Sequence, residues 1–307
     1  MKEIGFDQII EVGCGADIHK DKIVATIRSS GSGYETREFG TTTSSLKSLR
    51  EWCLSEGVTH FAMESTGVYW KPVYNILDEE GDMKILLVNA RHVKNVPGHK
   101  TDKKDSIWLS KLLLSGLLKS SFIPPQEIRE LRDLVRYKRK VIQQASSEKN
   151  RMIRILEDAN IKLSSVLTHV DGVAGQRIIT DLLSGEEDPR RLAKHHHGNM
   201  KASKEELQLA LEGRLTDHHR FMLKTLRQSI TDKERLLSEV EAQIDQQVEA
   251  YHDDVERLQT IEGVGRDSAI SIISETGVDM DQFPSEKHLS SWAGMSPGNN
   301  ESGGKKK

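Results

Sequence analysis

Short apolar runs alternate with polar turns over the first third of the chain, and the period then changes. Ile10 to Ala16 and Lys22 to Arg28 are β-rich runs joined by a polar turn, and Tyr34 to Phe39 adds a third. After the capping cluster Thr41 to Thr43, the apolar residues Leu46, Leu49, Trp52 and Cys53 recur at helical spacing. His60 to Glu64 then reads as a strand, Tyr69 to Glu79 as a helix, Lys84 to Val88 as an apolar strand and Ser106 to Leu118 as an apolar-faced helix. The resulting order, βββαβαβα, predicts an α/β fold. Three strands of antiparallel type followed by crossover units imply a mixed sheet covered by helices.

The pair Pro124-Pro125 cannot continue the preceding helix and marks a boundary. Beyond it an approximate heptad runs through Ile128, Leu131, Val135, Ile142, Ala145, Met152 and Leu156, interrupted by Lys138 and Lys149. A second runs through Leu223, Leu226, Ile230, Leu237, Val240, Ile244 and Tyr251, broken by Lys233 and Gln247. Such seams predict two long helices, paired within one chain or dimerising as a coiled coil. The first is basic on its flanks (Arg129, Arg132, Arg136, Arg139, Lys140) and the second acidic (Glu234, Glu239, Glu241, Asp245, Glu249), so the two faces can simply neutralise each other. Three domains follow from this reading: 1–123, 124–256 and 257–307.

Two stretches, Val170-Asp171-Gly172-Val173-Ala174-Gly175 and Ile261-Glu262-Gly263-Val264-Gly265, each precede an apolar helical pattern. Glycines in a tight turn before a helix start offer free N–H groups to a phosphate, as in a helix-hairpin-helix. An ordinary corner between helices has the same pattern. The triple His195-His196-His197 lies in a polar stretch; three consecutive imidazoles cannot all face one ion, and a solvated loop is expected.

Composition changes this picture through the placement of charge. The 44 basic and 47 acidic residues give a net charge of −3, which looks indifferent to nucleic acid. From Lys84 to Arg154, however, 17 Lys or Arg face 6 Asp or Glu. That segregation is the footprint expected for phosphate backbones. Arg91, Lys94, Lys100, Lys103 and Lys104 lead into the helix that starts near Asp102, and with Gly263 and Gly265 they are the candidate nucleic-acid contacts. No apolar run approaches a membrane span, Met1 to Ile10 has no apolar secretory core, and the two cysteines, Cys14 and Cys53, support neither a disulfide scaffold nor a cysteine zinc site. A cytoplasmic protein without a membrane partner is expected.

Four carboxylates carry the candidate chemistry. Asp17 ends the first strand, Glu64 ends the first crossover strand, and Asp102 and Asp105 open the helix after the last strand. Ligands of open α/β sheets gather outside the carboxyl ends of the strands. Asp102 and Asp105, three apart, share one helix face. Each has a plain structural reading as a cap or turn residue. Together, four clustered carboxylates repel unless a hard divalent cation relieves them, and an all-oxygen donor set selects Mg²⁺ or Mn²⁺ over zinc.

The strand order and carboxylate positions resemble the ribonuclease-H-like fold of RuvC type. The motifs narrow the resemblance. Gly15-Ala16-Asp17-Ile18-His19-Lys20, Met63-Glu64-Ser65-Thr66-Gly67-Val68-Tyr69-Trp70 and Lys100-Thr101-Asp102-Lys103-Lys104-Asp105 resemble the three acidic motifs of the DEDD-type transposases of insertion-sequence family one-hundred-and-ten, which includes the Piv-like recombinases. Ile261 to Gly265, Trp292-Ala293-Gly294 and Ser302-Gly303-Gly304-Lys305 resemble that family's C-terminal transposase domain. The resemblance implies a RuvC-like DEDD catalytic domain over 1–123, a basic helix and coiled-coil region over 124–256, and a small α-helical transposase domain with a helix-hairpin-helix-like turn over 257–307. Because family members continue past the Ser-Gly-Gly-Lys motif, this last domain is expected to be incomplete.

What the resemblance implies for function is a DNA transposase or site-specific recombinase. Asp17, Glu64, Asp102 and Asp105 would be catalytic and hold the metal, and Ser302 would be the nucleophile. DNA and a structured bridge RNA would be partners of a homo-oligomer, a dimer or a tetramer. Two other readings stay open on residues alone: a hydrolytic RuvC-like endonuclease in which the carboxylates activate water, and a non-enzymatic nucleic-acid-binding scaffold in which they serve as caps.

Overall fold

The computed structural model describes residues 10–31, 33–65, 67–89, 102–295, 301–302 and 305–306, the last two pairs and residues 102–104 by backbone alone. The chain divides into two compact units, 1–123 and 124–307.

The first unit carries β1 (Val12–Ile18), β2 (Ile23–Ser29), β3 (Tyr34–Phe39), α1 (Thr43–Ser55), β4 (His60–Glu64), α2 (Trp70–Leu77), β5 (Lys84–Val88) and α3 (Asp102–Leu114). The expected mixed sheet is present, with the spatial order β3-β2-β1-β4-β5. β1 pairs antiparallel with β2, and β2 with β3, while β1 with β4 and β4 with β5 are parallel. Alternation decides which face each residue serves. Cys14, Ala16 and Ile18 of β1, with Phe61 and Met63 of β4, join Leu46, Leu49, Trp52, Val73 and Leu77 in the core under α1 and α2. On the opposite face Ala62, Leu86 and Val88 pack against Leu109, Leu112 and Leu113 of α3.

Several boundaries differ from the pattern-based expectation for local reasons. β1 runs two residues further, to Ile18, because the hairpin closes tightly, His19 N–H donating to the Lys22 carbonyl at 2.9 Å. α1 starts where a Thr42 side chain accepts from Ser45 N–H. α3 starts at Asp102 and stops at Leu114, short of Leu118, because Gly116 takes a left-handed φ of +64° and Leu117 N–H returns to the Leu112 carbonyl.

The second unit is helical: α4 (Gln126–Asp158), α5 (Leu163–Val166), α6 (Val173–Leu183), α7 (Pro189–Leu192), α8 (Lys204–Ala210), α9 (Asp217–Val248), α10 (His252–Gln259), α11 (Arg266–Thr276) and α12 (Glu286–Trp292). α4 and α9 pair antiparallel within the chain. One apolar cluster joins Ile128, Leu131 and Val135 to Val240, Ile244 and Val248, and takes in Ala269, Ile270 and Ile273 of α11. The other joins Met152 and Leu156 to Leu223, Leu226 and Ile230 under the α5 to α8 segment. The lysines that interrupt the first heptad sit against carboxylates: Lys138 lies 3.0 Å from Glu241 and 3.2 Å from Asp267, Lys149 2.7 Å from Asp171 and 3.3 Å from Glu234. Ile142, expected in the seam, is instead exposed, and Val141 is buried in its place.

The polar histidine stretch is more ordered than a solvated loop. His195 Nε2 lies 2.8 Å from Asp181 Oδ2 and His196 Nε2 3.0 Å from the Ala202 carbonyl, so two of the three imidazoles anchor the turn after α7.

Candidate active site

Small residues in β1 bring α3 close to the sheet. Gly13, Gly15 and Asp17 alternate on the face that α3 covers. A Cβ placed on Gly15 would lie 2.3 Å from Ser110 N and 2.7 Å from the Ser106 carbonyl, both backbone atoms of α3. On Gly13 it would meet the Leu113 side chain at 2.8 Å. Ser106 beside the middle of β1 and Leu113 beside its start set α3 antiparallel to the strand. Its first turn, with Asp102 and Asp105, therefore lies toward the carboxyl end of β1. Thr26 of β2, paired with Gly15, shares a hydrogen bond of 2.8 Å with Ser106 Oγ, and both hydroxyls are fully buried. Arg28 Nε donates to Ser110 Oγ at 3.4 Å, one turn further along.

The parallel register of Ala16 with Met63 sets Asp17 and Glu64 side by side on adjacent strands, both on the α3 face. Both are half-buried, as is Asp105. Asp17 Oδ2 lies 3.0 Å from His19 Nε2, two residues along and just past the end of β1. Glu64 is the last residue of β4, and the next amide, Ser65 N–H, donates to the Val88 carbonyl at 3.0 Å, which holds the parallel strand ends together. Asp102 is the first residue of α3, its side chain outside the described residues. Among the described residues no three His, Cys, Asp or Glu side chains converge as metal ligands. The donor set itself suits a hard oxygen-seeking cation: the residues at the strand ends are carboxylates, and both buried thiols, Cys14 and Cys53, lie on the other face. Burial pushes the Cys14 thiol well above its usual range, as does its neighbour Cys53, so it stays protonated and unsuited to a metal.

The remaining candidates fall elsewhere. Arg91, Lys94 and Lys100 lie outside the described residues. Lys103 and Lys104 are on the first turn of α3, their side chains also outside them. In the second unit Gly263 has a φ of +84°, which makes glycine the natural residue there, and Gly265 caps α11. A Cβ at either would meet open space. The first charged groups of α11 are already paired: Arg266 lies 2.7 Å from Asp245, and Asp267 lies beside Lys138. In the first glycine stretch, by contrast, a Cβ on Gly175 would strike the Val170 carbonyl at 2.0 Å, so that glycine serves packing. Ser302 lies in a two-residue strand, Glu301–Ser302, paired antiparallel with Lys305–Lys306, with Ser302 opposite Lys305. Its side chain is outside the described residues, and it belongs to the second unit.

Much of the basic face of α4 is used within the chain. Arg132 donates to the Ser274 and Glu275 carbonyls at 2.9 and 2.8 Å, satisfying the carboxyl end of α11, and Arg136 makes a two-pronged contact to the Glu275 carboxylate at 2.9 and 2.8 Å. Burial, partly opposed by Glu275, lowers the Arg132 pKa from its ordinary value.

Pattern reasoning did not single out His19, the Thr26 and Ser106 pair, or the role of Gly13 and Gly15. A signal was present for two of these. His19 follows Asp17 by two residues, just past the end of β1, and Gly-x-Gly-x-Asp places the smallest residues on the face that carries the carboxylate.

No helix among the described residues is long and apolar enough to cross a membrane. Residues 14–161 match a protein-family model described as a transposase, the DEDD type of the IS110 group. Residues 255–307 match a second, described as the transposase IS116/IS110/IS902 family. No curated protein matches the chain.

Proposed function

The chain belongs to the IS110 family of transposases, enzymes that cut and rejoin DNA strands, and on that premise we propose that it does so at a composite site of four carboxylates and a serine. The observation that carries the reading is the arrangement of the first unit. Asp17 and Glu64 stand on adjacent strand ends, on the face covered by the helix whose first turn holds Asp102 and Asp105.

Asp17, Glu64, Asp102 and Asp105 would hold Mg²⁺ or Mn²⁺. Such an ion, when bound, polarises the scissile phosphate and stabilises the charge that develops on it. His19, hydrogen-bonded to Asp17, keeps that carboxylate oriented. In the proposed exchange the Ser302 hydroxyl oxygen forms a bond to phosphorus while the bond to a deoxyribose oxygen breaks. The hydroxyl gives up its proton, and the departing oxygen gains one. Attack by a second deoxyribose hydroxyl reverses the step, releases Ser302 and joins a new strand, conserving the phosphoester. Lys103 and Lys104, with Arg91, Lys94 and Lys100, would draw phosphates toward the same end of the sheet. The exposed turn at Gly263 and Gly265 would receive backbone phosphates in the second unit. A structured bridge RNA would specify the DNA, the active form would be a homo-oligomer, and the protein would act in the cytoplasm.

The test is incubation of the purified chain with a plasmid carrying the ends of its own element. Cleavage should require Mg²⁺ or Mn²⁺, vanish in Asp17→Asn and Glu64→Gln, and proceed through a covalent protein to DNA adduct that Ser302→Ala abolishes. Free DNA ends with no adduct at any time would instead establish a hydrolytic nuclease. Sequencing the copurifying nucleic acid checks the guide: one discrete structured RNA supports it, and random fragments oppose it.

A further inference from the structure

The short hairpin that carries Ser302 sorts its residues onto two faces. Ser302 is paired with Lys305, and Glu301 with Lys306. Opposed residues of an antiparallel ladder share a face and successive residues alternate, so Ser302 and Lys305 fall on one face and Glu301 and Lys306 on the other. The register is the one a tight hairpin gives. Gly303-Gly304 separates Ser302 from Lys305, a dipeptide preferred in two-residue connections, and the residues that flank such a connection are opposed. The two lysines therefore differ in setting although they are neighbours. Lys306 stands opposite Glu301, and a cross-strand pair of opposite charge stabilises a ladder by itself. Lys305 stands opposite a hydroxyl, so the electrostatics of the ladder give no reason for a cation at that position.

We propose that Lys305 is a further catalytic residue: placed opposite Ser302 on one face of the hairpin, its ammonium holds the scissile phosphate against the attacking hydroxyl. The Cβ atoms of an opposed pair lie about 5 Å apart. The flexible four-carbon stem of lysine spans that distance to a phosphate at the Ser302 oxygen. In the step itself the Ser302 oxygen bonds to phosphorus and the bond to the deoxyribose oxygen breaks. The serine proton passes to water, and the departing oxygen takes a proton from water. Lys305 exchanges none. It pairs with the non-bridging phosphate oxygens, where charge builds as Ser302 attacks, and then faces the anionic phosphodiester of the serine adduct until the second strand displaces it. With the cation in the nucleophile's own hairpin, charge and hydroxyl travel together, and their spacing does not depend on how the DNA docks. The proposal rests on the reading of Ser302 as the nucleophile.

The test follows the covalent adduct that the full chain forms on a plasmid carrying the ends of its own element, with Mg²⁺ and at saturating DNA, so that weaker binding does not contribute. Denaturing gels give the rate, and mass spectrometry of the digested adduct gives the attachment site. Lys305→Ala should slow adduct formation at Ser302 by about 100-fold, the lower end of what removing one charge-stabilising donor costs. Lys305→Arg should recover most of that rate, because a guanidinium keeps the charge and cannot serve as a base. Lys306→Ala, one residue along and on the other face, should stay near wild type. Lys305→Ala at the wild-type rate, Lys305→Arg as slow as Lys305→Ala, or an equal loss in Lys306→Ala would each overturn the proposal while leaving the adduct, and with it the reading of Ser302, in place. Wild-type protein that forms no adduct at Ser302 would overturn that reading, and the role of Lys305 with it.

Discussion

Replacing Gly15 with alanine tests whether the close contact of β1 with α3 sets the candidate active site. The added Cβ would lie 2.3 Å from Ser110 N and 2.7 Å from the Ser106 carbonyl, against about 3.4 Å for the tightest ordinary contact. Both obstacles are backbone, so no side chain can swing aside, and α3 must retreat from the sheet by about 1 Å. Overpacking of this kind costs about 1–3 kcal/mol. The retreat also stretches the 2.8 Å bond between the buried hydroxyls of Thr26 and Ser106, and losing that bond adds about 0.5–1.5 kcal/mol. The two penalties overlap, because one displacement causes both, so about 2–4 kcal/mol of destabilisation is expected. The larger effect is on geometry. Asp102 and Asp105 ride on the displaced helix, and a misplacement of about 1 Å costs roughly 100-fold in rate when reacting groups must be aligned. Chemical denaturation followed by circular dichroism reports the first effect. Metal-dependent DNA cleavage below the unfolding transition reports the second. Gly15→Ala protein with wild-type stability and wild-type cleavage would refute the argument that this glycine fixes the helix.

Thr26→Val should destabilise the first unit by about 1–3 kcal/mol, because it removes the hydrogen bonds of 2.8 and 2.9 Å that the Thr26 hydroxyl shares with Ser106 and Thr36, and combined with Ser106→Ala it should cost less than the two single changes added; a double variant at or above that sum would contradict this. Arg132→Ala should loosen α11, seen as faster amide exchange over Arg266–Thr276 with little change in α6, and uniform exchange would place the helix ends on other supports. The Lys149 contact holds the Asp171 carboxyl below the usual aspartate range. With its folded pKa depressed, the pair stabilises fully above the unfolded value, near 3.9, and the contribution is lost as pH falls through the folded value. The difference in denaturation midpoint between wild type and Asp171→Asn should therefore shrink in acid, and a constant difference would refute the pairing. Neutralising Lys103 and Lys104 together should weaken duplex DNA binding and reduce its salt slope by about 1.8, and an unchanged slope would leave both lysines in solvent.

The mixed sheet and the placement of Asp17 and Glu64 near its strand ends were legible because both depend on local pattern: period-two runs, crossover spacing, and acidic residues where those runs stop. What escaped notice depends on contacts between distant segments. Nothing in β1 alone says that Gly15 faces a helix begun nearly ninety residues later, or that Thr26 meets Ser106 there. The basic stretch shows the same limit in reverse. Its charge excess suggested a phosphate surface along its whole length, yet Arg132, Arg136, Lys138 and Lys149 are taken up by Glu275, Glu241, Asp267, Asp171 and Glu234. Which cations neutralise partners within the chain depends on helix pairing that composition does not record. The seam was read correctly where apolar residues dominate at each end. It slipped at Ile142, between the two interrupting lysines, where Val141 is buried instead.

The antiparallel pair of α4 and α9 also shapes how this unit can change over evolutionary time. A helix of 33 residues is about 50 Å long, and the apolar clusters at its two ends share no member. The α5 to α8 segment sits wholly in the distal cluster, while α11 is seated against the opening turns of α4, so the chain leaves the hairpin close to where it entered. Insertions, deletions or replacements at the distal end therefore leave the seat of α11 in register. The hairpin behaves as a stem with an exchangeable crown, and variation in length among related chains should concentrate between Asp158 and Asp217.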